Sequence, residues 1–457
     1  MKFAALAAIA VALLWALGSI RGLVDERRER RAEAARSVAD SLAGAQTLLG
    51  PALQRECHET WKKTEGEGKD RKVSVEQRAF RQTLWPHRLD ITTTVTLERH
   101  ARGLFTVNGY VGLSTLVVDW QDTALPIADA TLADAAIHCD PATLDIVPSD
   151  LRGVRSARIV AGGRELPLRP GRSTKANRVG FEGVLPDDMA RGGALHAEIT
   201  VTTVGTGSIA WVPVGDETKV RIVADWPHPA FAGDFLPVAR EVDARGFDAR
   251  WQVSGLATSA RQALDDGAAS CPLDDDEGDG QRKSTTKRGC AERFGVRFID
   301  PVDGYVLTDR AIKYGVLFIA LTFVGVGLVE LMRYRGSRQR RVHPMQYLLV
   351  GCALSIFFLL LVAVSEHAGF AVAYLVASAA CTTLLTMYGI AMLDGVRPGL
   401  AFGTAIALLY AVLYALLQLE QTALLLGSLL LFAVLAAVML VTRRFDWYAL
   451  LGRASVV

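Results

Sequence analysis

The sequence predicts a mixed fold: an all-α transmembrane bundle, built from an N-terminal anchor helix and five C-terminal helices, joined to a large β-rich exported domain. Three observations predict it. An apolar stretch opens the chain from Phe3 to Leu17, and mostly polar sequence follows as far as Tyr314. From Tyr314 to Val441 come five apolar stretches with short breaks, each about long enough to cross a hydrocarbon core of roughly 30 Å as a helix. Between these ends lie runs in which Val, Ile and Thr alternate with other residues at period two, as in half-buried strands.

The elements come in order. Residues 1–24 read as the anchor, with Ser19 to Val24 extending the apolar stretch if Arg21 snorkels to the interface. Ala16-Leu17-Gly18 also fits the small-x-small pattern of a signal-peptide cleavage site, so a cleaved leader is the alternative, and both readings export the polar middle of the chain. Residues 25–51 read as an amphipathic stalk helix, because Val38, Leu42, Ala45 and Leu49 recur on one face and Gly50-Pro51 supplies a stop. The charged stretch from Trp61 to Arg81 reads as an outward loop.

Residues 52–310 then read as the β-rich domain, a sandwich or stacked sheets of antiparallel strands. Its strand signals are Ile91, Thr93, Val95 and Leu97; Phe105, Val107, Gly109 and Val111; Leu195, Ala197, Ile199 and Val201; and Val220, Ile222, Ala224 and Trp226. The segment from Asp265 to Arg288 is poor in apolar residues and reads as a surface loop. Residues 311–442 hold the five-helix block, with segments near 314–332, 346–364, 369–390, 400–417 and 422–441, and 443–457 form a tail. The breaks at Ser365 to Ala368 and Gln418 to Thr422 are short enough to force antiparallel helical hairpins.

Charge sets the orientation. Arg333, Arg335, Arg338, Arg340 and Arg341 crowd the loop after the second apolar segment with no acid among them, as cytoplasmic loops do. The tail adds Arg443, Arg444 and Arg453, whereas the loops with Glu366 and Glu420 carry no Lys or Arg. Both termini are therefore expected inside and the large domain outside. The mixed run from Arg21 to Glu33 opposes this only weakly, because acids interleave with its arginines. A net charge of +2 gives no nucleic-acid signal.

Candidate chemistry is sparse. GxxxxGK[ST], GxSxG and HExxH are absent. Asp275, Glu277, Asp279 and Gly280 imitate half of a calcium loop, but Thr286 stands where a bidentate carboxylate is required. Cys57–His58 and His138–Cys139 lack zinc-site spacing. No apolar segment carries an acid or base at its centre, which ion-coupled carriers usually need. Hence no catalytic, cofactor-binding or metal-ligating residue is nominated. Partner contact or gating is assigned to Trp226, His228, Phe231 and Asp234, in a proline-stiffened aromatic segment, and to Glu366 and His367. The competing reading of Trp226 to Pro237 is a rigid corner plugging the β core. Cys271 and Cys290 are the candidate disulfide, although the exported cysteines, which include Cys57 and Cys139, allow three pairings. Gly399 and Gly403 form a small-xxx-small pair.

The strings WPHPAFAGDFLP (Trp226–Pro237), GFDARW (Gly246–Trp251), LTDRAIKYGVLFIALTF (Leu307–Phe323), HPMQYLLVG (His343–Gly351), SEHAGF (Ser365–Phe370) and DWYAL (Asp446–Leu450) resemble those of the CreD family of bacterial inner-membrane proteins, also called cell envelope integrity proteins. The resemblance runs from Leu49-Gly50-Pro51 to Tyr448, and the acidic loop and its flanking cysteines depart from it. It implies an inner-membrane anchor, a periplasmic domain and a helical bundle. It also implies envelope-stress control, with effects on colicin tolerance and β-lactam response, but no activity and no site residues. The expectation is a non-enzymatic envelope-integrity protein whose partners are the lipid bilayer and an envelope protein or cell-wall component. A transporter or channel for a lipid or amphiphile is the alternative, and a periplasmic enzyme with a cleft near His228 is a third reading.

Overall fold

The computed structural model describes residues 2–65, 72–103, 105–125, 135–171, 180–273, 289–299, 304–333, 342–419 and 423–443. The acidic loop with Asp275, Glu277, Asp279, Gly280 and Thr286 lies outside them, as do Arg335, Arg338, Arg340, Arg341, Glu420, Arg444 and Arg453. The chain forms two compact units, one of residues 1–30 and 302–457, the other of residues 31–301.

In the first unit, helix α1 (Lys2–Ser41) contributes its opening residues to a bundle with α4 (Gly304–Arg333), α5 (Pro344–Ser365), α6 (Phe370–Met392), α7 (Val396–Gln418) and α8 (Ala423–Thr442). Among the described residues α1 and α4 to α7 are long and apolar enough to cross a membrane, while α8 carries a shorter apolar run, Gly427–Leu440. The outer surface is apolar, with Leu375, Met387 and Leu408 exposed as lipid-facing side chains would be. Leu13, Leu17 and Val24 of α1 are buried in the same cluster as Phe357, Phe358, Tyr374 and Tyr410. Helix α4 starts ten residues earlier than the apolar run suggests. The charges that hide this turn are paired: Asp309 meets Arg21 at 3.2 Å and Lys313 at 2.7 Å. Glu366 meets Arg27 at 3.4 Å and accepts from the Tyr305 hydroxyl at 3.2 Å.

Gly399 and Gly403 let α7 lie against α6. A Cβ at Gly403 would overlap the Thr386 side chain, and one at Gly399 would come within 2.5 Å of the Ile390 Cα. The small pair is therefore used inside the chain. Gly403→Val is expected to force the two helices apart and cost about 1–3 kcal/mol. Gly325→Val serves as the control, at an exposed glycine where an added Cβ would meet nothing within 4 Å. Thermal unfolding of the full chain in nanodiscs measures both, and equal midpoints would refute the close approach.

Among the described residues the second unit holds seventeen strands: β1 (Gln46–Glu65), β2 (Lys72–Leu84), β3 (Arg88–Arg102), β4 (Phe105–Trp120), β5 (Ala136–Cys139), β6 (Thr143–Pro148), β7 (Val154–Ala161), β8 (Arg164–Glu165), β9 (Leu168–Pro170), β10 (Phe181–Val184), β11 (Leu195–Thr206), β12 (Ser208–Trp211), β13 (Glu217–Ala224), β14 (Pro229–Gly233), β15 (Ala239–Asp243), β16 (Gly246–Ser254) and β17 (Phe294–Phe298). Two short helices, α2 (Asp187–Ala190) and α3 (Ala260–Asp265), join them. One sheet runs β14-β17-β12-β1-β6-β10-β9, with β2 and β5 also on β1; the other runs β15-β16-β13-β3-β4-β11-β7-β8. Their inner faces share one core. Leu48, Leu144, Ile209, Trp211 and Phe294 come from the first sheet, and Ile91, Leu116, Ile199, Ile222 and Trp251 from the second. The alternation in β3, β11 and β13 reads out this burial directly.

Several sequence expectations are corrected. The stalk helix does not reach Pro51: α1 stops at Ser41, and Leu49 lies in β1. Gly50-Pro51 is a cis bond within that strand, at a bulge where the register to β6 shifts between Leu49 and Ala52. Gly50 has φ +110°, and a Cβ there would sit 2.7 Å from the Asp145 carbonyl oxygen, so glycine serves the bulge. The stretch from Trp61 to Arg81 is not an outward loop. Apart from residues 66–71, it is a ribbon of β1 on β2, paired from Leu53↔Leu84 to Glu65↔Lys72. Past Glu59 the described residues of this ribbon are exposed or half-buried, so it has no apolar alternation to display there. Not all pairing is antiparallel either: β3 runs parallel to β13, and β1 to β12. In β4 the core face is Tyr110, Gly112, Ser114 and Leu116, and Val111 is half-buried. Gly109 lies instead under His100 and Leu42.

Candidate functional site

The nominated contact residues fall in both units. His228 is exposed. The Trp226 indole donates to the His228 and Ile299 carbonyls at 3.1 and 3.0 Å. Phe231 packs edge-on to Phe247 and Trp251, with ring centroids 5.8 Å apart in each case. Asp234 accepts from the Arg293 backbone N–H at 3.0 Å. Glu366 and His367 belong to the helical unit, at the turn between α5 and α6. The nominated residues therefore divide between the two units. Cys271 and Cys290 are bridged, and so are Cys57 and Cys139, which face each other across β1 and β5.

A denser polar constellation lies on the first sheet, on the face away from the core. Cross-strand register aligns Ala52 of β1, Asp145 of β6, Glu182 of β10 and Arg169 of β9 as one row. Each strand buries its alternate residues, such as Leu144 and Ile146, in the core, so this row must point the other way. Gln54, Arg55, Glu56, Arg81, Asp140, Pro141 and Thr143 complete the walls of a small cleft, with about 30 Å³ of space for solvent-sized groups. Two like charges directly opposite each other on neighbouring strands destabilise a sheet. A place where a sequence breaks such a local rule is a place to look for function.

The partners are unevenly shared. Glu182 is 5% exposed and receives the Arg169 guanidinium at 2.6 Å. Arg81 donates to Gln54 Oε1 at 3.1 Å, and Arg55 to Gln82 Oε1 at 2.7 Å. Asp145 keeps a little outer exposure, but its Oδ1 is sealed and accepts no hydrogen bond. Burial, aided by the Glu182 charge, pushes its carboxyl up to about 6, against the opposing Thr143 hydroxyl and the charges of Arg81 and Arg169. Among the described residues no cluster of His, Cys, Asp and Glu has the makings of a metal site.

This shift has a consequence for stability. Asp145's ordinary value is 3.8, so between about pH 4 and 6 the folded protein holds a proton that the unfolded chain has released. Its contribution is therefore best below about pH 4 and worsens as pH rises through 6. A displacement from 3.8 to about 6 corresponds to about 3 kcal/mol. Asp145→Asn cannot ionise and is expected to remove most of that loss at about pH 7.5 while changing little at about pH 4. Urea unfolding of both proteins across this range checks it; parallel pH profiles would refute the account.

Residues 1–448 match the family model described as inner membrane protein CreD. The chain belongs to the CreD family. The inner membrane protein CreD of Escherichia coli K12 is 32% identical over 449 residues, covering 98% of this chain and 93% of that protein. With its membrane-length helices, this CreD-family chain is a multi-pass inner-membrane protein. Among solved structures, the M1 zinc metallopeptidase of Deinococcus radiodurans and a mutant of it bound to a Tyr-Ser-Ala substrate are 12% and 11% identical, each with a TM-score of 0.18. Each match covers 36% of this chain and 38% of the peptidase, so it spans under half of either, and similarity this weak carries no argument about fold or chemistry.

The cleft residues of this CreD-family chain escape sequence reading for a simple reason. Asp145 and Glu182 sit in short apolar strands, where a single acid on the outer face is ordinary. Only the pairing of β6 with β10 makes them neighbours.

Proposed function

We propose that this chain is a non-enzymatic inner-membrane protein that maintains envelope integrity in an envelope-stress and β-lactam response, and that its β-rich domain is periplasmic and recognises an envelope component or partner. The observation that carries this reading is the full-length match to an inner-membrane protein family in a chain whose largest folded part is a β unit with a charged outer cleft. The bundle supports anchoring over passage. Its centre is filled by Phe357, Phe358, Tyr374 and Tyr410, with the Tyr374 hydroxyl donating to the Tyr410 carbonyl at 2.7 Å. Charged groups in the bundle pair with one another, as Arg27 of α1 does with Glu366 at the C-terminus of α5.

Two measurements test it. A reporter fused near Gln339 is expected to be active only on the cytoplasmic side; activity outside would bring the β unit indoors. Crosslinking of the full-length protein in cells, followed by purification, is expected to retain an envelope protein, peptidoglycan or lipid. A bare protein would sink the recognition role.

A further inference from the structure

The hairpin of β3 and β4 outruns the sheet that carries it. Strand β13 stops pairing with β3 at Val95↔Ala224, and β11 stops pairing with β4 at Thr206↔Gly109. Four pairs then continue with no third strand, from Arg99↔Asn108 to Arg102↔Phe105. At about 3.3 Å per residue they project roughly 13 Å. A two-stranded ribbon is marginal by itself in water, so these pairs draw support from outside the sheet. At the root that support is internal: Gly109 leaves room for His100 and Leu42, whose side chains a Cβ there would meet at 2.6 and 3.3 Å. The tip differs in character. From Arg99 to Asn108 the sequence carries two arginines, one histidine and no acid. Arg99 and Arg102 are exposed, and among the described residues neither meets an acid.

The direction of the projection identifies what it meets. Strands β3 and β11 both run toward this end of the unit, because each is antiparallel to β4, and β1 and the parallel β12 start from it. The incoming chain is fastened here: the Ala43 and Gly44 carbonyls accept from the Thr206 hydroxyl and N–H at 3.2 and 3.3 Å. The outgoing chain leaves here too, since the Phe298 N–H donates to the Gly207 carbonyl at 2.8 Å. Both connections to the membrane-spanning helices therefore depart from the end out of which the hairpin points. A membrane-length segment begins at Gly304, six residues after Phe298, and six residues reach at most about 21 Å. The hairpin extends roughly 13 Å from that end, and a polar headgroup layer adds about 5–7 Å outside the hydrocarbon.

We propose that the β3–β4 hairpin is a membrane-surface contact, in which Arg99 and Arg102 bind the phosphates of anionic phospholipid headgroups. The two arginines lie on opposite faces of the ribbon, so they straddle its tip, and their long stems carry both guanidinium groups to one plane. A guanidinium matches phosphate oxygens two at a time. This goes beyond the recognition reading above, because it holds whichever envelope component the unit recognises. The bilayer is the partner that the chain itself brings to this end.

The test uses the full chain in nanodiscs and reads hydrogen exchange of the hairpin amides. Discs of phosphatidylcholine alone are compared with discs rich in phosphatidylglycerol. The amides of Arg99 to Arg102 and Phe105 to Asn108 are expected to exchange at least about fivefold more slowly in the anionic discs, the effect of one basic side chain near an anionic surface. Amides of β16 should exchange alike in both. Salt on the order of 0.5 M should erase the difference by screening. Arg99→Glu combined with Arg102→Glu should erase it at low salt, and Arg99→Lys with Arg102→Lys should keep part of it. Both positions are exposed, so unchanged exchange in β16 shows that the variants fold. Equal protection in the two lipids, or protection kept by the glutamate variant, would overturn the contact. Protection produced in choline discs by inorganic phosphate at matched ionic strength would assign the arginines to a free anion. Protection seen only with two chains per disc would make a second copy the occupant. Either result would also overturn the lipid contact.

Discussion

Trp251→Ala is expected to destabilise the β unit by about 3–5 kcal/mol, the range for truncating a large aromatic in a packed core. Trp251 is 2% exposed. Its indole N–H donates to the Phe235 carbonyl at 3.1 Å, and its ring meets Phe231 and Phe294 at centroid distances of 5.8 and 5.7 Å. Truncation therefore opens a cavity and also releases the segment from Trp226 to Pro237, whose Phe231 and Phe235 lean on this ring system. For a unit of this size the midpoint should drop on the order of 10 °C. Trp251→Phe should recover part of it, and Trp226→Ala, at a half-buried ring bonded only to backbone carbonyls, should cost less. Calorimetry of the full chain in nanodiscs decides. A loss under about 1 kcal/mol would mean that the proline-rich segment is held by something other than Trp251.

Removing the Cys57–Cys139 bridge by the paired change Cys57→Ala and Cys139→Ala should have an effect of similar size. The bridge spans 82 residues of sequence, and a loop of that length corresponds to roughly 4–5 kcal/mol of chain entropy in the unfolded state. The Cys271–Cys290 bridge spans 19, for which the same relation gives about 3 kcal/mol. The long-range pair should therefore be the costlier one to lose. Chemical denaturation of the two double variants under oxidising conditions tests the order. If the variants matched the wild type, the cysteines would not be bridged in the folded protein and the β unit would not face an oxidising compartment.

Much of the architecture is legible because membranes and sheets impose simple periods. A hydrocarbon core demands long apolar runs, so α5, α6 and α7 are visible to within a few residues. Strands buried on one face demand alternation, so Ile91 to Val95, Leu195 to Val201 and Val220 to Ala224 are visible too. Elements that answer to neither demand are missed. Past Glu59 the described residues of the ribbon of β1 on β2 are exposed or half-buried. The early turns of α4 hide behind Asp309 and Lys313, whose charges are paired at one end of the bundle. Leu42 and Leu49 keep the helical spacing of α1 while sitting beyond its end, because β1 happens to need an apolar residue at Leu49 and Leu42 packs against Gly109.

By itself the sequence determined the two-part character of the chain, its membrane-length helices and its β-rich middle, since these depend on composition and local period. It nominated Trp226, His228, Phe231, Asp234, Glu366 and His367 because they are locally conspicuous. The tertiary structure decided which cysteines meet, that Gly399 and Gly403 serve the contact of α7 with α6, and that Asp145 faces Glu182. Those facts depend on pairing between strands and helices far apart in sequence, and pairing is chosen by the sum of many burial and hydrogen-bonding preferences that no single segment carries.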